Sequence, residues 1–260
     1  MIISLDLDGT LLDANRKLPQ STMEYLNELK QKGEIIVINS GRALKDALPV
    51  TENAYFANYV ISDTGAVIYE VETNKVIMEV GISKEDGYHL FKAVSSSDMM
   101  FYVHMEDYRY AYPYNFKTYE TIMNDHRNIL HISIDFKNQE DVEKFINENK
   151  NNFPHLKIFA MVDSFGTDKW IEIINKKAGK YKTLLELIKI LNMKKEDIIS
   201  FGDAINDLEL IRNSRIGVAM KNAIPELKQN AKVVTEFSND EYGVEKWLKE
   251  FYKNGGIQWE

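Results

Sequence analysis

The sequence contains no cysteine among its 260 residues, which excludes disulfides, thiolate nucleophiles and cysteine-ligated zinc sites. Its apolar runs are short, and none approaches the roughly 20 residues that a membrane-spanning helix needs. The chain also begins without the basic and then apolar segment that is typical of secretion signals. We therefore expect a soluble protein of the cytoplasm with no membrane partner.

Positive charge is also scarce. The chain carries 32 Lys and Arg against 40 Asp and Glu, so its formal net charge is −8. An acidic average surface repels polyanions and argues against a nucleic-acid-binding domain with a basic face, although a small anion can still bind in a locally positive pocket. With 44% hydrophobic residues, the chain is long enough for a substantial core and for two domains.

The first third of the chain alternates between short apolar strands and an amphipathic helix. Residues 2–5 and 34–38 are predicted strands of a parallel sheet that is covered on both faces. Between them, the capping-box pattern of residues 21–24 predicts the start of a helix, and Lys32-Gly33 predicts its end. This is the pattern of a β-α-β unit.

The last third repeats this alternation. Predicted strands at 197–201, 216–219 and 232–235 are separated by helices, and longer helices are predicted at 180–191 and 244–251. The sequence therefore predicts an α/β fold with a doubly wound, mostly parallel sheet.

The middle of the chain has a different pattern, which we interpret as an inserted α+β domain with an antiparallel sheet. This domain would span residues 81–175, and residues 1–80 and 176–260 would form the two parts of one core domain. Its predicted helices span 83–94, 115–127 and 139–147, and its predicted strands span 99–103, 109–112, 130–135, 156–163 and 169–174.

Acidic side chains follow the first predicted strand in Asp6-Leu-Asp-Gly-Thr10. Ligands of an open parallel sheet bind beyond the carboxyl ends of its strands. A turn at Gly9 would let Asp8 swing toward the same pocket as Asp6, and Thr10 could fix a carboxylate by a hydrogen bond. The plain alternative is a turn that only ends the strand.

Two later strand ends carry groups that complement these acids. Ser40-Gly41-Arg42 offers a hydroxyl and backbone N–H groups, which suit an oxyanion such as phosphate. Gly202-Asp-Ala-Ile-Asn-Asp207 adds further acids on a glycine turn. Asp203 and Asp6 would supply hard oxygen ligands for Mg²⁺, and a cation would remove the repulsion among converging carboxylates.

These motifs follow the order that is typical of the haloacid dehalogenase (HAD) superfamily: Asp6-Leu-Asp-Gly-Thr10, Ser40-Gly-Arg42, a lysine, and Gly202-Asp-Ala-Ile-Asn-Asp207. The similarity extends along essentially the whole chain, through Gly217-Val-Ala-Met220 and the late Tyr242-Gly243-Val244. The large insertion after the second motif resembles the type IIB cap of the Cof-like sugar-phosphate phosphatases. The resemblance implies a HAD-like core with a cap that sets substrate specificity.

The resemblance also implies a role for each matching acid. Asp6 would be the nucleophile that forms an aspartyl-phosphate, and Asp8 would act first as general acid and then as general base. Mg²⁺ would be held by the Asp6 carboxylate, the Asp8 backbone carbonyl and Asp203, with Asp207 in the outer shell. Two neighbouring positions would support the site, namely Thr10 and Arg42.

The phosphoryl oxygens would be bound by Ser40, Gly41 and a lysine, with Asn206 orienting that lysine or the phosphoryl group. The chain departs here from the Ser-Lys-Gly-like turn that families of this type usually show. We assign the lysine to Lys180 because it opens the predicted helix in the expected register. The alternatives are Lys176, Lys177 and Lys182.

A second departure is Ser62-Asp-Thr-Gly-Ala66, which stands where the family commonly has Asn-Gly-Ala. In the cap, tyrosines at 108, 110, 112 and 114 have the two-residue period of one strand face, and Pro113 favours a sheet edge. These tyrosines would stack on a sugar, form an interface or pack within the cap. The polar turn at 163–168 would face the active site or form a solvated hairpin. The histidines at 104, 126 and 131 lack ligand spacing, and we interpret them as ordinary cap residues.

The sequence thus predicts a Mg²⁺-dependent phosphatase of small phosphorylated metabolites, with sugar phosphates as the expected class. A phosphotransferase or phosphomutase is the alternative, because Asp8 could activate a hydroxyl as well as water. A signalling receiver would be one compact domain of about 120 residues with its acceptor on an interior strand, which the inserted domain opposes. A catalytically inactive binding module is disfavoured because no required acid is missing. Both a monomer and a dimer stay open.

Overall fold

The computed structural model describes residues 1–94, 100–105, 109–113, 116–161 and 170–256. Within these ranges the chain forms two β-sheets, each with helices packed against it. None of the helices in these ranges combines the length and the apolar character that a bilayer crossing needs.

The strands within the described ranges are numbered in chain order. They are β1 (Ile2–Leu5), β2 (Ile35–Asn39), β3 (Tyr59–Ser62), β4 (Val67–Glu70), β5 (Lys75–Glu79), β6 (Met100–Met105), β7 (Arg109–Pro113), β8 (Ile129–Asp135), β9 (Leu156–Met161), β10 (Trp170–Asn175), β11 (Ile198–Gly202), β12 (Ile216–Ala219) and β13 (Val233–Val234).

The helices within these ranges are numbered in the same way. They are α1 (Gln20–Gln31), α2 (Leu44–Val50), α3 (Lys84–Val94), α4 (Phe116–Asn124), α5 (Gln139–Asn149), α6 (Lys180–Ile190), α7 (Leu208–Asn213), α8 (Pro225–Asn230) and α9 (Gly243–Lys253).

The first sheet has eight strands in the order β13-β12-β11-β1-β2-β3-β4-β5. Neighbouring strands from β13 through to β3 pair in parallel, and β3, β4 and β5 form an antiparallel meander. The central strands β1 and β11 are fully buried along their length, as expected when helices cover both faces of a parallel sheet.

Alternate residues of β1 enter two different hydrophobic clusters. Ile3 and Leu5 pack with side chains of α1 and α9, whereas Ile2 packs with side chains of α6. Because successive side chains of a strand point to opposite faces, these clusters lie on the two sides of the sheet. This arrangement confirms the predicted doubly wound α/β fold.

The second sheet has five strands in the order β7-β6-β8-β10-β9, and every pairing is antiparallel. One face packs against helices, since Ile132 and Ile134 of β8 share a hydrophobic cluster with side chains of α3, α4 and α5. His131 and Ser133 alternate with them and therefore point to the other face. That polar face meets the first sheet.

The chain crosses between the two sheets twice. It enters the second sheet after β5, where the Ile82 backbone pairs with Ile129, and it returns after β10. The Asn175 side-chain amide donates to the Gly81 carbonyl at 2.8 Å and so ties the two crossings together. The two chain segments that connect the sheets are thus hydrogen-bonded to each other.

Most predicted strands and helices are present with ends shifted by a few residues. The predicted capping box at Ser21 is wrong, because α1 begins at Gln20 after Pro19, and the hydroxyls of Ser21 and Thr22 donate instead to Glu245 of α9. A tertiary partner therefore outcompetes the local cap. Pro113 does lie on an edge strand, β7, as predicted.

Candidate active site

The carboxyl end of β1 delivers Asp6 to the middle of the first sheet. The Asp6 N–H donates to the Phe201 carbonyl of β11 at 3.3 Å, which fixes the strand end before the chain turns. The turn needs Gly9, whose φ is +74°, and a β-carbon there would lie 2.2 Å from Asp203 Oδ2. Glycine is therefore required both for the backbone conformation and for the close approach of Asp203.

Lys180 joins two of the acids that the sequence separates widely. Its Nζ donates to Asp6 Oδ1 at 2.6 Å and to Asp207 Oδ1 at 2.7 Å, and the residue is only 3% exposed. Lys180 begins α6, directly after Gly179. The three alternative lysines, at 176, 177 and 182, are exposed. The structure therefore places Lys180, and not its neighbours, among the acids.

Asp203 and Asp207 lie on the loop after β11. The Thr10 hydroxyl donates to Asp203 Oδ1 at 3.1 Å. The other carboxylate, of Asp207, accepts the backbone N–H groups of Asp203 and Ala204 at 3.2 and 3.3 Å while its second oxygen meets Lys180. Asp207 is thus occupied in holding the loop and the lysine, and Asp203 carries the freer carboxylate.

The pKa values of these groups reflect burial and crowding. Burial raises the pKa of Asp6 to about 7, with Lys180 opposing and Asp207 adding to the rise. Burial, followed by the charges of Asp6 and Asp207, raises the pKa of Asp203 to about 9. Burial alone would lower the pKa of Lys180, but Asp207 and Asp6 together raise it above its ordinary value. Lys180 therefore stays charged, and its single positive charge is too little to keep all three neighbouring acids ionised.

The donor set fits a divalent metal ion. Carboxylate oxygens of Asp6, Asp203 and Asp207 lie within 4.8 Å of one another, and all three residues are buried. One lysine cannot neutralise three carboxylates, so a hard cation would relieve the remaining repulsion. Oxygen-only ligands are those that Mg²⁺ and similar hard ions prefer.

The second predicted motif lies beside this cluster. The Ser40 hydroxyl accepts the Arg42 N–H at 3.1 Å and keeps its own proton as a donor. Arg42 Nε and Nη2 donate to the two Asp8 oxygens, both at 2.6 Å. Arg42 therefore holds both Asp8 oxygens, and this bidentate pair must open before Asp8 can donate a proton.

The Asn206 side chain lies beside Gly41. A β-carbon at Gly41 would lie 3.7 Å from Asn206 Nδ2 and 3.6 Å from the Thr64 hydroxyl. The buried Asn206 Oδ1 has no hydrogen-bond partner among the described residues. Asn206 thus sits where it can contact a ligand of the Gly41 turn.

Two asparagines hold the site although the sequence analysis assigned them no role. Asn222 Nδ2 donates to the Gly9 carbonyl at 2.7 Å and so supports the turn that carries Asp8. Asn39 Nδ2 donates to the Ser4 hydroxyl and to the Lys180 carbonyl, both at 3.2 Å. The position of Asn222 beside the Gly217–Met220 motif was the only signal available, and it does not reveal the partner.

The interpretation of the cap histidines needs correction. The rings of His104 and His131 are stacked with centroids 3.7 Å apart, and His131 Nδ1 lies 3.4 Å from Asp63 Oδ1 of the core. The two residues are far apart in the sequence, and the neighbouring strands β6 and β8 bring them together. His126 is exposed. Tyr108, Tyr114 and the turn at 163–168 lie outside the described residues.

Asp63, His104 and His131 also bring potential ligand atoms within 4.8 Å of one another. The imidazole planes, however, are nearly parallel, at 18°. Since the lone pair of a ring nitrogen lies in the ring plane, stacked rings direct their lone pairs side by side and not toward one point. The Asp6 cluster is therefore the better metal candidate.

Comparison with known proteins gives a consistent result. A family model described as haloacid dehalogenase-like hydrolase matches residues 3–248. The chain is 27% identical, over 273 residues, to 5-amino-6-(5-phospho-D-ribitylamino)uracil phosphatase YitU of Bacillus subtilis, and the alignment covers 96% of this chain and 97% of that relative.

Solved structures agree at the level of the fold. A haloacid dehalogenase-like hydrolase from Bacillus subtilis superposes with a TM-score of 0.82 at 23% identity, over 95% of this chain and 98% of that one. A HAD subclass IIB sugar phosphatase superposes with a TM-score of 0.80 at 23% identity, over 96% and 98% of the two chains. Because the family model matches residues 3–248, which is nearly the whole chain, the chain belongs to the haloacid dehalogenase-like hydrolase family.

Proposed function

We propose that this protein is a Mg²⁺-dependent phosphatase that hydrolyses small phosphorylated metabolites, with sugar phosphates as the substrate class. The observation that carries the proposal is the buried cluster in which Lys180 contacts Asp6 and Asp207 beside Asp203. A carboxylate nucleophile, a fixed cation and a hard-metal site in one place are the requirements of phosphoryl transfer.

The reaction would proceed in two displacements. In the first, an Asp6 oxygen attacks phosphorus, the bond from phosphorus to the leaving oxygen breaks, and Asp8 gives its proton to that oxygen. In the second, Asp8 takes a proton from water, the water oxygen attacks phosphorus, and the Asp6 carboxylate and inorganic phosphate are released. Asp8 must leave Arg42 and gain a proton before the first displacement, since the paired carboxylate is an acceptor only.

Four groups of the chain would bind the phosphoryl oxygens. Lys180 is held in its charged form by two carboxylates and supplies a fixed positive charge. The Ser40 hydroxyl and the backbone at Gly41 supply donors at the end of β2. The Asn206 side chain, which lies beside Gly41, is the fourth group. Donors that are fixed before the reaction stabilise the charge that develops in it.

The metal would be held by the Asp6 carboxylate, the Asp8 backbone carbonyl and the Asp203 carboxylate. Asp207 would act from the outer shell, since its oxygens already hold Lys180 and the loop. When bound, Mg²⁺ supplies charge neutralisation for the phosphoryl oxygens. Thr10 keeps the Asp203 carboxylate oriented.

The proposal of a small substrate is supported by the position of the second sheet, because its polar face meets the core beside the site. The relatives point to the same class, because one is named as a phosphatase of a phosphoribitylamino uracil and another as a sugar phosphatase. Both names describe phosphate esters of small molecules.

The decisive experiment is Asp6→Asn with a panel of sugar phosphates and 4-nitrophenyl phosphate in the presence of Mg²⁺. The variant should lose activity by more than about a thousandfold, because the amide is a poor nucleophile. The wild type, mixed rapidly with ³²P-labelled substrate, should form labelled protein, and the variant should not.

Asp13→Asn is the matched control, because the Asp13 carboxylate accepts, among the described residues, only the N–H groups of Asn15 and Lys17 in a surface turn. It should retain activity. Full Mg²⁺-dependent hydrolysis by Asp6→Asn would overturn the covalent mechanism. Faster transfer of phosphate to an added sugar than to water would favour a phosphotransferase.

A further inference from the structure

The turn Asp63-Thr64-Gly65 has an unusual backbone. Its three residues have φ values of 51°, 54° and 89°, and only the third is glycine. Side chains with a β-carbon rarely adopt this left-handed region, and β-branched threonine is among the least suited to it. Such a conformation persists only where surrounding contacts impose it. The neighbours of this turn must therefore hold it in place.

On one side, the turn is bonded to the segment that follows β2. The Asp63 N–H donates to the Arg42 carbonyl at 2.8 Å, and Asp63 Oδ2 accepts the Leu44 N–H at 3.1 Å. Arg42 is the residue that pairs with Asp8. The turn thus determines where the Ser40–Arg42 segment lies.

On a second side, the turn is packed against the start of α6. A β-carbon at Gly65 would lie 2.5 Å from the Gly179 carbonyl carbon, so the two backbones touch. The Thr183 hydroxyl donates to the Gly65 carbonyl at 2.6 Å. Because Lys180 is the first residue of α6, the same turn also supports the lysine of the active site.

On the third side, the turn meets the polar face of the second sheet. The Thr64 hydroxyl donates to Glu172 Oε2 at 3.4 Å, and Asp63 Oδ1 lies 3.4 Å from His131 Nδ1. Glu172 is held in place by Ser133 and Trp170, which both donate to its Oε1 at 3.2 Å. The Thr64–Glu172 and Asp63–His131 contacts therefore join the core to strands β8 and β10 of the cap.

The groups at this boundary are not offered to a substrate in this arrangement. Asp63 and His131 are at most 1% exposed, Thr64 is 4% exposed and Glu172 is 9% exposed. The contacts described above bind them to one another, to their own sheets and, for Asp63, to the Arg42–Leu44 segment. Their geometry thus suits a fixed attachment between cap and core more than a pocket for a leaving group.

We propose that Thr64 and Glu172 are positioning residues for catalysis, which act by setting the cap against the turn that supports both the Ser40–Arg42 segment and Lys180. This inference rests on the proposed phosphatase function and deepens it. The placement of the cap and the placement of the phosphate-binding groups then depend on the same turn, since it contacts all three parts. Neither residue touches the reacting atoms.

The first test compares Thr64→Val, which removes the hydroxyl at nearly constant shape, with Thr64→Ser, which keeps it. Positioning predicts that Thr64→Val lowers kcat by roughly tenfold or more with KM within about twofold, because small displacements of catalytic groups affect the transition state. The loss should be equal for glucose 6-phosphate and for 4-nitrophenyl phosphate. Thr64→Ser should restore most of the activity.

Thr73→Val is the matched control, because within the described part of the chain the Thr73 hydroxyl bonds only to Glu70, at an exposed hairpin. A loss by Thr64→Val no larger than that of Thr73→Val would overturn the proposal. A loss confined to the sugar phosphate would also overturn it, because it would mean that Thr64 contacts the leaving group.

The second test needs no activity and so separates this proposal from the proposed function. Amide hydrogen exchange is followed in Glu172→Met, which removes both carboxylate oxygens from the cap, and in Thr64→Val. Each variant should speed exchange on both sides of the boundary, at residues 40–44 of the core and at 170–175 of the cap. Exchange that changes only in the segment carrying the substitution overturns the coupling.

Glu143→Met, on the exposed side of α5, is the matched cap control and should leave both segments unchanged. A wild type that hydrolyses no phosphate ester would refute the proposed function, while coupled exchange would still support the attachment. An active wild type with uncoupled exchange would refute the attachment alone.

Discussion

Two buried polar clusters among the described residues differ in the groups that face their acids. The proposed catalytic cluster combines the three acids Asp6, Asp203 and Asp207 with one lysine. The boundary cluster places His131 between Asp63 and Glu172, so each acid has a nitrogen partner within 3.7 Å. The first cluster therefore suits a cation, which would relieve the repulsion among its acids, whereas the second joins the two sheets.

Removal of Lys180 tests the proposed catalytic cluster and should have the largest effect. Lys180→Met leaves converging carboxylates without their fixed cation, so we expect kcat to fall by a hundredfold to a thousandfold or more, in line with roughly 10²–10³ for loss of one stabilising donor. The control is Lys182→Met, since Lys182 is exposed and its ammonium group donates to the Lys176 carbonyl at the surface. Steady-state kinetics of both variants checks this, and equal kcat values would contradict it.

A second prediction concerns the close approach that brings Asp203 into the cluster. Gly9→Ala should abolish Mg²⁺-dependent activity, because the new β-carbon would lie 2.2 Å from Asp203 Oδ2. Gly33→Ala is the matched control, since Gly33 also has a positive φ, of +95°, but no atom within 4 Å of the new carbon.

Gly33→Ala should lower the free energy of unfolding by only about 1 kcal/mol, the cost of the left-handed backbone. Thermal unfolding and Mg²⁺ titrations of both variants separate the steric effect from the backbone effect. Activity retained by Gly9→Ala would mean that Asp203 can withdraw without loss, contrary to its place in the cluster.

Asp63→Asn tests the boundary cluster and should have an intermediate effect. The amide oxygen can still accept the Leu44 N–H, but the charge facing His131 is lost. We expect the free energy of unfolding to fall by about 1–3 kcal/mol and the Mg²⁺ concentration for half-maximal activity to stay constant. A large change in Mg²⁺ requirement would contradict the separation of the two clusters.

The last prediction concerns the dependence of stability on pH and metal. Burial raises the pKa of Asp6 to about 7 and that of Asp203 to about 9, whereas both acids titrate near 4 in an unfolded chain. The folded protein therefore binds these protons more tightly. The stability they contribute is fully present below about pH 4 and is lost as the pH rises through 7 and 9.

Mg²⁺ should restore that stability, and the gain should be larger at pH 9 than at pH 6, because the cation replaces protons that are absent at high pH. The measurement is the thermal midpoint with Mg²⁺ minus that with a chelator at the two pH values. Asp203→Asn should reduce the difference at pH 9. An equal Mg²⁺ gain at both pH values would contradict the proposed link.

Much of the fold could be predicted because its determinants are local. The continuous apolar runs at 2–5 and 197–201 correspond to β1 and β11, and the helix predicted at 180–191 corresponds to α6. The meander of β3, β4 and β5 was not recognised, since its strands depend on pairing with one another more than on a periodic pattern. The capping box at Ser21 failed for the same reason, because a distant glutamate took the hydroxyl.

The sequence by itself determined the chemistry that the chain can perform. Acids at the ends of β1 and β11, the Ser-Gly turn after β2 and the order of these motifs are properties of the chain, and they predicted the family that the comparison confirmed. Only the tertiary structure decided which lysine meets Asp6, that Arg42 holds Asp8, and that His104 stacks on His131.

These last features depend on contacts between residues that are far apart in the chain, as with the 174 positions between Lys180 and Asp6. Burial, and not local propensity, selects such contacts, because a buried charge is stable only beside its partner. The same physical reason explains why the turn at Asp63-Thr64-Gly65, which resembles a simple loop in the sequence, joins the cap to the catalytic core in the fold.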